Sequence, residues 1–265
     1  MNVNRLQEGL RTKRFGKRIV FLREIGSTND YAKELANYGA DEGTVVIAEK
    51  QTAGRGRLRR EWISPKGGLY FSVVLRPKLG AVDAVKLVFV AGLAVAQVLR
   101  EQYGLRVETK WPNDVLVNAR KICGILTEMN TTREKVNYAV VGIGINANFG
   151  VEKAFPEPLK AITTSVENEL GRKVRLEELF RALLQRFENV YNLYAERGFT
   201  SILEKWKKYA SFLNRRIEVT SLNEKLSGLA LDVDNDGALL LRLEDETIKH
   251  VFVGDIKIKN KNKRF

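Results

Sequence analysis

Cysteine and histidine are nearly missing from this 265-residue chain, which has one of each, Cys123 and His250. A lone cysteine excludes an intramolecular disulfide and a cysteine-based zinc site. A lone histidine excludes histidine-rich metal clusters and argues against a Ser-His-Asp triad. No apolar run approaches the roughly 18 residues of a membrane span, and the N-terminus lacks the apolar stretch of a signal peptide. A soluble, cytoplasmic protein is expected. The sequence holds no G-x-x-x-x-G-K-[ST], so no P-loop is expected. Acidic residues are the scarcer charge: 32 Asp and Glu face 45 Lys and Arg, for a formal net charge of +13. That balance suits nucleic acid, an acidic protein partner or nucleotide phosphates. The 44% hydrophobic content is enough for a real core.

The richest stretch is 49–76. Thr44 to Ala48 and Leu69 to Leu75 read as strands from their β-branched and aromatic content. Between them lie Gly54, Gly56, Gly67, Gly68, Arg55, Arg57, Arg59, Arg60 and Trp62. Glycine lets backbone N–H groups come close to a ligand, and arginine offers a planar fork of donors. A long connection of this kind is either functional or a flexible basic hairpin. Trp62 and the bracketing strands favour a loop that orders over something anionic.

Along the chain, residues 1–18 allow a short helix and Ile19 to Leu22 a strand. The Ser27 to Asp30 spacing predicts a helix opened by a near capping box, and plain capping is the favoured reading of that stretch alone. Asp83 to Tyr103 predicts a long core helix stopped by Gly104, with Val85, Val88, Phe89 and Val95 on its apolar stripe. Arg106 to Lys110 reads as a strand, Trp111 to Asp114 as a turn, Val115 to Val117 with Ile122 to Glu128 as a hairpin, and Tyr138 to Ile145 as a further strand. Gly142-Ile143-Gly144-Ile145-Asn146-Ala147 matches a dinucleotide fingerprint, but loop residues follow instead of a helix, so that reading is rejected. Leu176 to Tyr194 carries an apolar face at helical spacing, and a second helix covers about 200–209. From 212 the pattern turns to short strands, with a hairpin turn at 234–237. Two domains are therefore expected, 1–211 and 212–265. The tail with Lys257, Lys259, Lys261, Lys263 and Arg264 reads as a solvated end, or else as a docking patch for an acidic partner.

Cationic groups and backbone donors beside strands suit an anionic transition state such as attack on phosphate. Asp114 and Asn113 could help hold magnesium together with substrate phosphates. From residues alone the chain reads as an ATP-using enzyme or a phosphate-binding protein.

Several motifs in order carry a sharper resemblance: Gly-Ser-Thr-Asn (26–29), Glu-Lys-Gln-Thr-Ala-Gly-Arg-Gly-Arg (49–57) with Trp62, Leu-Tyr-Phe-Ser (69–72), Lys-Trp-Pro-Asn-Asp (110–114), Lys-Ile-Cys-Gly-Ile-Leu-Thr-Glu (121–128) and Gly-Ile-Gly-Ile-Asn (142–146). Together they resemble the biotin–protein ligase family over about 19–253. The resemblance implies an α+β fold, with a mixed central β-sheet and flanking helices of class II synthetase type. It also implies a small C-terminal barrel of Src-homology-3 type. It implies ATP-dependent activation of biotin to biotinyl-5′-AMP, then transfer to a lysine of a biotin carboxyl carrier protein, with Mg2+ assisting. Ser27, Thr28, Asn29 and Gln51 would bind the biotin head group, with Gly54, Arg55, Gly56 and Arg57 covering the intermediate. Arg57 would meet phosphate, and Trp62 would stack near adenine. Lys121 would sit between the biotin carboxylate and the α-phosphate, and Gly124 would let the ligand approach its strand. Lys110, Asn113, Asp114 and Asn146 would complete the nucleotide side, Asp114 orienting the metal or the incoming amine. A homodimer is expected, with the strand 138–145 as its edge. The helix-turn-helix module found in some members is not seen in the sequence, so repressor function and specific DNA binding are not expected. The competing readings are a lipoate–protein ligase and, remotely, a basic nucleic-acid-binding module. Cys123 reads as a buried apolar residue and His250 as a surface one.

Overall fold

A computed structural model describes residues 3–133, 135–221 and 224–258. Its first half builds one large sheet. In chain order come α1 (Val3–Gln7), β1 (Ile19–Leu22), α2 (Thr28–Asn37), β2 (Val45–Ala48), β3 (Leu69–Leu75), α3 (Ala81–Val85), α4 (Leu87–Tyr103), β4 (Val107–Lys110), β5 (Asp114–Val117), β6 (Arg120–Thr132) and β7 (Lys135–Ile145). The strand order is β1-β2-β3-β7-β6-β5-β4. β1 and β2 run parallel, and the other neighbours are antiparallel. The sheet is thus mixed, as expected. β7 lies at its centre, hydrogen-bonded to both β3 and β6, so it is no dimer edge. The outer strands are β1 and β4, which the sequence could not reveal because strand order is set by long-range pairing.

Side-chain alternation divides the sheet into two faces. Val45, Ile47, Phe71, Val73, Leu75, Val141, Ile143 and Ile145 enter the main core. There they meet α4 and α8 (Leu176–Lys207), for example Phe71 edge-on to Phe180 with centroids 5.3 Å apart. α8 bends at Gly198, whose φ of 72° separates the two predicted helices. The helix expected from Asp83 is split into α3 and α4. Val85 is 56% exposed and does not join the core stripe. The stretch Ala81–Tyr103 is long and apolar enough to cross a membrane, but 78% of its apolar window is buried inside this fold, as befits a core helix. The buried Glu188 carboxylate of α8 straps the N-terminal segment by accepting the amides of Lys13, Arg14 and Phe15 at 2.6, 2.6 and 2.9 Å.

The opposite face is only half covered. Ala32 and Ala36 of α2 pack on Val46, Val74, Tyr138 and Val140. Beyond them the same face carries Ser72, Gly124, Gly142 and Gly144, and a cavity opens. Short helices α5 (Val151–Ala154), α6 (Leu159–Ile162) and α7 (Val166–Leu170) follow β7, α5 within the stretch expected to be loop, and Leu159 and Ile162 of α6 line the cavity.

The C-terminal strands are β8 (Arg216–Thr220), β9 (Lys225–Val233), β10 (Leu239–Arg242), β11 (Ile248–Val251) and β12 (Asp255–Ile258). They form an open antiparallel sheet in the order β11-β10-β9-β8-β12. The expected barrel is not formed. Closure would need a ladder between β11 and β12, and among the described residues none exists. The edge strands have four residues each. β8 and β10 share only Leu229 of β9 as a common partner, so the overlap that closes a barrel is lacking. The sheet is joined to the larger one by Trp111 Nε1–H donating to the Gly237 carbonyl at 2.9 Å. Lys257 is exposed on β12; the rest of the basic tail lies outside the described residues.

Candidate active site

One row across the large sheet forms the floor. The register aligns Lys110 with Asp114, Asp114 with Gly124, Gly124 with Gly144, and Gly144 with Tyr70. Two charged residues and two glycines therefore face the same cavity, of about 880 Å³. Trp62 lies on the glycines: a Cβ at Gly144 would sit 2.4 Å from its Nε1, and one at Gly124 would sit 3.0 Å from its Cζ3. The Lys121 ammonium is 5.1 Å from the Trp62 ring centroid and 2.7 Å from Asp114 Oδ1. Such a cation over a ring is stabilised by the ring's negative face.

The end nearest α2 is mostly neutral. The Thr28 amide donates to Gln51 Oε1 at 2.9 Å, Gln51 Nε2 donates to Ser64 Oγ at 2.9 Å, and Ser64 Oγ donates to the Trp62 carbonyl at 2.9 Å. Ser72 Oγ donates to Asn29 Oδ1 at 2.6 Å and lies 2.8 Å from Thr28 Oγ1. Asn29 Nδ2 donates to Glu128 Oε2 at 2.8 Å. Gly142 makes room for this amide, since a Cβ there would fall 2.1 Å from Asn29 Oδ1. Ser27 does not cap α2 with its side chain, against the capping-box expectation. Gln51 from the neighbouring loop satisfies the Thr28 amide instead, leaving Ser27 at the cavity wall.

The other end is charged. Arg57 Nη1 reaches Asn113 Oδ1 at 3.4 Å and the Gly254 carbonyl at 3.3 Å. Burial pulls the Arg57 guanidinium below its usual range, partly offset by Asp255 and Asp114. Arg60 pairs with Asp255 at 2.5 Å, so the loop also docks on the C-terminal sheet. Lys110 and Asp114 line the cavity. Asn146 is fully buried. Its Nδ2 donates to the Thr164 carbonyl at 3.0 Å, whereas its Oδ1, like Trp62 Nε1, has no partner among the described residues. Buried polar atoms of this kind are costly unless a ligand meets them.

Every residue expected at the site is therefore near this cavity. Gly54 lies against its wall through Trp62 and Ser64. Sequence reasoning missed Ser64, Ser72, Gly142, Glu128 and Asp255. The glycines of 142–144 stood out as a failed dinucleotide motif and as part of a family motif, with no role assigned; their reason is close approach by Asn29 and Trp62. Cys123 is fully buried, and burial raises its thiol pKa. His250 is exposed and 3.0 Å from Asp234 Oδ2.

Comparison with known proteins gives concordant matches. Residues 21–146 match the model of the "Biotin/lipoate A/B protein ligase family", and 212–258 match "Biotin protein ligase C terminal domain". A bifunctional ligase/repressor BirA of Bacillus subtilis is 38% identical over 97% of this chain and 79% of its own length. A biotin–[acetyl-CoA-carboxylase] ligase of Paracoccus denitrificans is 36% identical over 83% of this chain and 92% of its own. The biotin protein ligase of Aquifex aeolicus, solved in complex with biotin and ATP, superposes with a TM-score of 0.79 at 29% identity, covering 92% of this chain and all of that one.

Proposed function

The chain belongs to the biotin protein ligase family, and on that footing we infer that its cavity binds biotin at the α2 end and ATP at the lysine end. It is an ATP- and biotin-dependent ligase. In the first step the biotin carboxylate attacks the α-phosphorus and the bond to pyrophosphate breaks, giving biotinyl-5′-AMP. In the second, a lysine amine of a biotin carboxyl carrier protein attacks the acyl carbon, AMP leaves, and the amine loses a proton.

The observation that carries the division is Lys121. Its ammonium sits at the border between the neutral network and the charged end, 2.7 Å from Asp114. There it can meet the biotin carboxylate and the α-phosphate together, stabilising charge as the phosphate becomes pentavalent. Ser27, Thr28, Asn29 and Gln51 would face the biotin head group over the Gly124 and Gly142 floor. Arg57 and Lys110 would neutralise phosphate. Trp62 and the orphan Asn146 Oδ1 would face the base and sugar. The Gly54–Trp62 loop would exclude water from a hydrolysable anhydride. Once Lys121 turns to phosphate, Asp114 is freed for metal or for the incoming amine.

Magnesium fits as an ion that arrives with the nucleotide. Among the described residues no group of three or more His, Cys, Asp or Glu could cage a metal. Asp114 offers the single carboxylate that suffices when phosphates provide the other ligands. The bound ion would neutralise phosphate charge. A homodimer acting in the cytoplasm completes this reading, its interface lying elsewhere than the internal strand β7. Residues 1–211 would carry the chemistry, and 212–265 would brace the loop.

The test is ATP–pyrophosphate exchange with biotin, with lipoate and with neither. Exchange that requires biotin is expected. Exchange with lipoate alone would move the chain to the other branch of its family.

A further inference from the structure

The Gly54–Trp62 loop is anchored by an ion-pair network that the chemistry above does not use. Arg55 forms a two-pronged pair with Asp30 on α2, Nη2 lying 2.6 Å from Oδ1 and Nη1 meeting Oδ2. The same Nη2 is 3.4 Å from both carboxylate oxygens of Glu128 on β6. Lys33 ties the two acids together, 3.0 Å from Asp30 and 2.8 Å from Glu128. Glu128 also accepts Asn29 Nδ2, which joins the network to the biotin end. Three residues past Arg55 the loop is held against its preference. Leu58 and Arg59 have φ of 54° and 58°, a left-handed conformation that side-chain-bearing residues keep only when their surroundings impose it. Arg57 contrasts with Arg55, for among the described residues its hydrogen bonds go to neutral oxygens.

We propose that Asp30 and Glu128 are positioning residues that act through Arg55 and Asn29, latching the glycine–arginine loop over the bound adenylate while fixing the Asn29 amide toward biotin. Arg55 is then the latch, and Arg57 is the arginine that meets phosphate. The consequence for the adenylate rests on the biotin-ligase reading; the latch itself does not.

The test has two readouts on the full chain. Thermolysin cleavage ahead of Leu58, without ligand, reports loop opening. The lifetime of enzyme-bound biotinyl-AMP reports retention. Asp30→Asn and Arg55→Gln should each speed cleavage about fivefold, the scale of a half-exposed ion pair of good geometry. The double variant should fall short of the sum of the two singles, because both remove the shared Arg55–Asp30 pair while each also loses a separate contact, Arg55 to Glu128 and Asp30 to Lys33. Asp30→Glu should restore much of the protection. Glu128→Gln should open the loop and also raise KM for biotin more than it lowers kcat. Adenylate should escape faster from Asp30→Asn in proportion to cleavage. Unchanged cleavage in Asp30→Asn, additive singles, or faster cleavage with unchanged retention would each overturn the latch. If the parent forms no adenylate from biotin, the biotin reading falls, and the cleavage series alone decides the latch.

Discussion

The two ends of the cavity handle their polar atoms in opposite ways. At the α2 end Thr28, Asn29, Gln51, Ser64 and Ser72 bond mostly to one another, so the wall is preorganised and a head group need only replace water. At the lysine end Lys121 leans on Asp114 and Trp62, Arg57 is buried against neutral oxygens, and Asn146 Oδ1 has no partner among the described residues. One end is built to recognise a neutral group with fixed geometry, and the other to receive negative charge. The contrast teaches that binding and chemistry can be separated by residue, because satisfied networks resist rearrangement whereas a cation that can exchange its ion-pair partner, as Lys121 can exchange Asp114, responds to the charge that develops.

The sharpest way to break the contrast is at the charged end. Lys121→Gln should lower pyrophosphate exchange by about a hundredfold or more, the scale for losing one stabiliser of transition-state charge, while calorimetric biotin affinity stays within a few-fold. Next in size is a glycine pair. Gly142→Ala would push a Cβ to 2.1 Å from Asn29 Oδ1, break the Ser72 bond and raise KM for biotin by about tenfold, a change of roughly 1.4 kcal/mol. Gly144→Ala would displace Trp62 instead, so its loss should appear in adenylate lifetime more than in biotin affinity. Arg57→Ala should keep biotin binding but let biotinyl-AMP escape, as a trapping assay would show; unchanged retention would count against its phosphate role. Ser72→Ala leaves Asn29 Oδ1 short of a donor and should destabilise the fold by about 1 kcal/mol, measured by denaturant unfolding.

The smallest effect concerns pH. The Arg55 guanidinium and Lys33 hold the Asp30 carboxyl down at about 2, against the opposing effect of burial. Burial disfavours the Glu128 carboxylate, but Lys33, Asn29 and Arg55 outweigh it, and its pKa is lowered as well. A depressed folded-state pKa gives stability that is complete above the ordinary carboxyl range and is lost as pH falls through the folded value. Loop protection should therefore be flat down to about pH 5 and decline progressively toward pH 2. Asp30→Asn should lack the Asp30 share of that decline.

Much of the charged end was legible in the sequence, because Lys110, Asp114 and Lys121 lie within one short hairpin-rich stretch. The Gly/Arg loop declared itself by composition. The neutral end was half legible: Ser27 to Asn29 and Gln51 were seen, but Ser72, Gly142 and Glu128 come from three strands whose neighbourhood depends on sheet order. Ser27 looked like a cap because local spacing cannot foresee that Gln51 will arrive from the next loop. The barrel expectation failed for a related reason, since closure is a property of strand overlap and not of strand count. The strand at Asp255, which receives Arg60 and carries the loop onto the second sheet, has no local signal of that task.

The most direct measurement pairs two readouts on one variant: biotin binding by calorimetry and biotin-dependent pyrophosphate exchange, both on Lys121→Gln. The account predicts binding within a few-fold of the parent and exchange reduced by about a hundredfold or more. Equal loss of binding and exchange would contradict it, because the two ends of the cavity would then act as a single site.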